Sequence, residues 1–218
     1  MQGIADYCGV CGSHLLAGVC GRCTDYHSRR LASIGLPNEL IDKRFDTFDR
    51  SLQPQALDAA VAFVKDWPHH RCLLFTGLPG TGKSHLIAAI LRECYERNNV
   101  VSKYHSVAVM TTLWKHAEDW SKFGREIVEP LMQARLIALD EIGREARTDQ
   151  WLAELDVLLA SRYSDRLPTI LATNLALDAF IRHIGASLWS RLDSWAEILT
   201  MAGKSPDNDY RRRLKDGG

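Results

Sequence analysis

Three observations predict an α/β fold whose mostly parallel, five-stranded sheet is flanked by helices on both faces. Apolar runs of strand length alternate with stretches of helical periodicity through most of the 218 residues. The runs are continuously apolar, as strands buried on both faces are. The first of them leads straight into a glycine-rich segment that opens a helix. The length suits one such domain plus a small appendage.

Taken in order, residues 1–27 form a cysteine-rich module, 28–49 a connector and 50–218 the main domain. Gln55 to Trp67 carries Leu57, Ala60, Val61 and Val64 at helical spacing before Pro68 stops it. Arg71–Thr76 reads as the first strand and Lys83 to about Asn98 as the helix after the glycine-rich turn. Val100–His105 reads as a second strand, followed by a helix from about Val107 to Trp120. Leu136–Asp140 and Thr169–Thr173 are further buried strands, with a helix from Trp151 to Tyr163 between them. Ala196–Met201 is the fifth strand.

Charge is balanced, 27 basic residues against 27 acidic. No global field announces a nucleic-acid partner, so any such contact must come from a local patch. The N-terminus has neither a basic nor an apolar leader region, and no apolar run is long enough to span a membrane. The expectation is a cytoplasmic protein.

Four of the six cysteines fall in Cys8-x-x-Cys11 and Cys20-x-x-Cys23. Four thiolates so paired suit tetrahedral Zn²⁺. The separation between pairs is shorter than in usual zinc ribbons, which keeps unligated or disulfide-bonded thiols and an iron–sulfur centre as alternatives. His14 and His27 are spare ligands. Cys72 and Cys94 read as ordinary core residues.

The segment Gly77-Leu78-Pro79-Gly80-Thr81-Gly82-Lys83-Ser84 meets every fixed position of a phosphate-binding loop. Its glycines let the backbone wrap phosphates closely at a helix N-terminus. Lys83 would reach the β/γ-phosphates, and the Ser84 hydroxyl would ligate Mg²⁺. The strand at Leu136 ends in Asp140 and Glu141, at the sheet edge where ligands of open α/β sheets bind. Asp140 would hold Mg²⁺ through water, and Glu141 would polarise an attacking water. Asn174 ends the next strand, where an amide can hold that water; a turn-forming role is the alternative.

These pieces, with His85 after the loop, the Leu139-Asp140-Glu141-Ile142-Gly143 string, Ser190-Arg191-Leu192 and Asp209-Tyr210-Arg211, occur in the order of one family. The chain resembles the AAA+ ATPases of the DnaC/DnaI helicase-loader group and their IstB-type transposition-helper relatives, over roughly residues 45–213. The resemblance implies that Asn174 is the sensor-1 residue. It implies that Arg191 is the arginine finger, acting on ATP held by a neighbouring subunit. Arg211 falls at the sensor-2 position, with Arg212 and Arg213 as competitors. With the sequence ending soon after at Gly218, the expectation is a domain without a full helical lid.

Related loaders contact single-stranded DNA between the second strand and the acidic strand end. Here that region offers Lys115 and Lys122 beside Trp114 and Trp120; the tryptophans serve equally well as core anchors. Arg44, Phe45 and Phe48 suit either an adenine contact or the core. The resemblance therefore implies a homo-oligomeric ATPase that places a hexameric replicative helicase on single-stranded DNA, with the cysteine module gripping the helicase. A transposition helper is the runner-up, and a metabolic phosphate-loop kinase is disfavoured by Glu141 and Asn174.

Overall fold

A computed structural model describes residues 33–115, 123–145 and 148–201. The four cysteines of the N-terminal module, Trp120, Lys122 and the arginines at 211–213 lie outside the described residues.

Five parallel strands form one sheet in the order β2-β3-β4-β1-β5. They are β1 (Cys72–Thr76), β2 (Ser102–Ser106), β3 (Leu136–Ile142), β4 (Thr169–Thr173) and β5 (Ala196–Thr200). Side chains alternate across the sheet. Leu73, Phe75, Ala138 and Ile170 face helices α1 (Pro54–Lys65) and α2 (Lys83–Asn98). Leu74, Ile137, Leu139 and Leu171 face the other layer. That layer contains α3 (Val107–Lys115), α4 (Glu129–Gln133), α5 (Asp149–Ser164), α6 (Leu177–Ile184) and α7 (Ala186–Trp195). This is the covered parallel sheet that the apolar runs predict.

Local chemistry accounts for the helix ends. Pro54 opens α1, where its missing N–H costs nothing. The Thr148 hydroxyl accepts from the Trp151 N–H at 3.2 Å and caps α5. Asn99, left-handed at φ 50°, closes α2.

From residue 33 onward the segment read as a connector packs into the core. Ile34, Leu40 and Phe48 are buried in the layer of α1 and α2. The Tyr104 N–H donates to the Ile34 carbonyl at 2.7 Å, so the segment covers part of the free edge of β2. The buried Arg92 on α2 donates to the Ile41 carbonyl and pairs with Glu96 at 3.2 Å.

In the opposite layer Arg162 is fully buried. Its guanidinium donates to the carbonyls of Leu131 (2.7 Å), Ala134 (2.8 Å) and Pro168 (2.7 Å) and to the Thr169 hydroxyl (2.9 Å). One side chain thereby closes the C-terminal end of α4 and joins it to the start of β4. Burial pushes its pKa down to about 10, which leaves it charged at neutral pH.

Candidate nucleotide site

The C-terminal ends of β2, β3 and β4 and the turn after β1 meet around a cavity of about 710 Å³. The glycine-rich turn after β1 forms one wall. Gly77 has φ 134°, and a Cβ there would lie 2.3 Å from the Met201 carbonyl oxygen. Gly82 has φ 95°, and a Cβ there would lie 2.6 Å from Cε2 of Phe48. At both positions only glycine fits, for backbone and for space.

Phe48 is buried, with its ring edge-on to His85 at 5.2 Å between centroids. His85 Nε2–H donates to the Arg44 carbonyl at 2.7 Å. Burial lowers the pKa of His85, which favours the neutral ring. Phe48 therefore props the loop from beneath, and Phe45 also packs against the core; of the two roles open to these aromatics, the structure displays the core one. Gly82→Ala is expected to destabilise the domain by about 1–3 kcal/mol and to weaken ATP binding at least tenfold. Adding Phe48→Ala removes the clash but not the φ strain, so recovery should be partial. Thermal melts and a fluorescent-ATP titration check both.

Lys83 Nζ donates to the carbonyls of Gly77 (2.6 Å) and Leu78 (2.9 Å), which places the ammonium across the loop. Thr81 Oγ1 donates to the Leu78 carbonyl at 3.0 Å and stiffens the same turn. Pro79, Gly80, Gly82, Lys83, Ser84 and His85 all line the cavity. The N-terminus of the 16-residue helix α2 points into this wall, a favourable place for phosphate.

Opposite stands β3. Asp140 is buried and accepts from the Tyr104 hydroxyl at 3.1 Å and from the Glu141 N–H at 2.7 Å. Burial raises its pKa, opposed by hydrogen bonds from the Ser84 hydroxyl, the Glu141 N–H and Tyr104. Tyr104 is kept protonated by burial and by the adjacent Asp140 carboxylate, so it acts as donor. Ser84 and Asp140 both line the cavity, which puts a hydroxyl and a carboxylate in one site. Such hard oxygen donors fit a Mg²⁺ ion.

Glu141 follows with φ 62°, a left-handed conformation rare for a long side chain. The cause lies in strand pairing. Leu139 pairs with Leu171 and Ile142 with Thr173, so β3 carries one more residue than β4 over the same step. The irregularity turns the Glu141 carboxylate toward β2, where it accepts from Ser106 Oγ at 2.7 Å and pairs with Arg144. Asn174 follows β4 and lines the cavity. The Thr173 hydroxyl fixes its turn, donating to the Ile142 carbonyl at 2.6 Å and accepting from the Leu175 N–H at 3.1 Å.

Loop, Asp140, Glu141 and Asn174 are thus brought together. Arg191 is not among the cavity residues; on α7, its Nη1 donates to Asp156 Oδ1 at 2.5 Å. Lys115 is exposed at the end of α3 and does not line the cavity. Trp114 is buried against Trp151, at 6.2 Å between centroids, as a core anchor. Three site residues escape a reading of the sequence: Tyr104, Ser106 and Arg144. Ser106 leaves no mark in the sequence, because its place in the site depends on the register that sets it opposite Asp140. Among the described residues no cluster of His, Cys, Asp and Glu suits a metal held by protein alone, and no helix is long and apolar enough to cross a membrane.

The fold is shared with solved replication proteins. A DnaI structure superposes with TM-score 0.68 at 23% identity, over 77% of this chain and 95% of that one. The replication initiator DnaA bound to AMPPCP and single-stranded DNA superposes at 0.65 with 15% identity, over 80% and 55%. In sequence, the replicative helicase loader DnaC of Escherichia coli (strain K12) is 25% identical over 141 residues. That match covers 64% of this chain and 58% of the loader's own length. Residues 25–214 match the family model of the IstB-like ATP binding protein, and with its phosphate loop and acidic strand end so arranged, the chain belongs to that ATP-binding family.

Proposed function

We propose that this protein is a Mg²⁺-dependent ATPase that loads or remodels a hexameric replicative helicase on single-stranded DNA. The observation that carries the reading is the convergence of the phosphate loop, Asp140, Glu141 and Asn174 on one cavity. In this reading the loop N–H groups and Lys83 bind the β- and γ-phosphates. Ser84 and Asp140 would hold Mg²⁺, which neutralises phosphate charge when bound. Glu141 accepts a proton from the attacking water, and Asn174 orients that water.

Arg191 has its place in the same scheme. It does not line its own chain's cavity, and in this scheme it completes the site of a neighbouring subunit in a homo-oligomer. Its link to Asp156 holds the guanidinium until assembly offers a phosphate instead. Hydrolysis is then slow for the isolated chain and faster with helicase and DNA. Arg211, Lys115 and Lys122 are assigned to phosphates, of nucleotide or of DNA. Cys8, Cys11, Cys20 and Cys23 are assigned to a structural Zn²⁺ whose module grips the helicase. One zinc per chain, lost in Cys20→Ser, is the expected metal analysis.

A transposition helper is the second reading, favoured by the IstB-like family match itself. Phosphate release measured with purified helicase and single-stranded DNA separates the two. Stimulation by both supports the loader; stimulation by duplex DNA and a transposase alone supports the helper. No release under any condition rejects the ATPase.

A further inference from the structure

We infer that Arg144 is a positioning residue that restrains Glu141 in the isolated subunit. The inference rests on the proposed role of Glu141 as general base. Both carboxylate oxygens of Glu141 are engaged: Oε2 accepts from Ser106 Oγ at 2.7 Å and Oε1 from Arg144 Nη1. A base that must take a proton from water has one acceptor site of each oxygen held by a protein donor. The two donors differ in mobility. Ser106 sits at the end of β2, part of the sheet. Arg144 follows Gly143 (φ 89°) in the turn beyond β3, and its side chain is 66% exposed.

The backbone makes this pairing possible. Glu141 at φ 62° and the Arg144 N–H bonded to the Glu141 carbonyl at 3.2 Å form a tight turn that sets both side chains on one face. Arg144 also borders a second hollow of about 390 Å³, lined by Val109, Thr112 and Leu113 of α3. The guanidinium therefore stands at the outer wall of the nucleotide cavity, where it can swing out without disturbing the core. Glu141 turns toward the phosphates when that contact breaks. The arginine slows hydrolysis without contributing to ATP binding.

Single-turnover and steady-state phosphate release on the full chain test this. Arg144→Ala is expected to raise kcat about two- to fivefold, the scale of a solvent-facing ion pair, with KM for ATP and the melting temperature unchanged. Arg144→Lys, which keeps the charge, should stay nearer the original rate. Arg144→Ala combined with Glu141→Gln should be as slow as Glu141→Gln alone. A kcat for Arg144→Ala equal to or below the original, or a parallel change in KM, overturns the restraint. If Glu141→Gln itself leaves turnover unchanged, the general-base reading fails instead, and the two failures are distinguishable.

Discussion

Glu141→Gln is expected to lower ATP turnover by about a hundred- to ten-thousand-fold, the usual contribution of a positioned general base, while ATP binding persists. The amide keeps the size of the side chain and the bond from Ser106 but cannot take a proton from water. The loop, Lys83, Ser84 and Asp140 are untouched, so affinity for a fluorescent ATP analogue should hold within a few-fold. Arg191→Ala should be similarly inactive for a different reason, because in the proposed scheme Arg191 acts on the adjacent subunit's site. Mixing the two inactive variants should restore turnover. Some interfaces then pair an intact Glu141 of one subunit with an intact Arg191 of the next. Recovery that grows with protein concentration supports the shared site. A mixture as inactive as its components contradicts it.

The second large effect is on stability. Arg162→Met is expected to cost about 3–5 kcal/mol, as measured when a buried, hydrogen-bonded charge network is broken. Methionine fills much of the volume but leaves the carbonyls of Leu131, Ala134 and Pro168 buried without their donor. That is a large part of the roughly 5–15 kcal/mol available to a typical domain. Urea unfolding should show a lower midpoint with little change in slope. Arg162→Lys should recover only part of the loss, since one ammonium cannot reach both sides of the guanidinium's span. A midpoint unchanged by Arg162→Met would show that α4 and β4 are held by packing alone.

The central strands were legible because their burial is complete on both faces: Cys72–Thr76 and Thr169–Thr173 are buried at every position. The helix after the phosphate loop was legible from the motif that begins it. Helices α6 and α7 were not anticipated. Each is short and turns only a pair of buried apolar residues inward, Phe180 and Ile184 in one, Leu188 and Leu192 in the other. Two residues four apart do not separate a helix from a loop. Residues 33–49 hid for a related reason, since the buried Ile34, Leu40 and Phe48 follow neither a helical nor a strand period.

The candidate site divides the same way. The loop, Asp140, Glu141 and Asn174 stand in local sequence patterns. Tyr104, Ser106 and Arg144 do not, because their meaning depends on how β2 and β3 pair. The register slip against β4 that aims Glu141 at Ser106 involves residues about thirty positions apart. Pairing between strands distant in sequence leaves no periodic mark in either one.

Co-sedimentation of the full chain with a purified hexameric replicative helicase on single-stranded DNA, in ATP and in ADP, separates a helicase loader from a transposition helper. The expected result is a complex whose stability depends on the nucleotide, and whose formation fails for a version beginning at Ser28. No association with the helicase in either nucleotide, alongside ATP-dependent association with a transposase and duplex DNA, would contradict the loader reading.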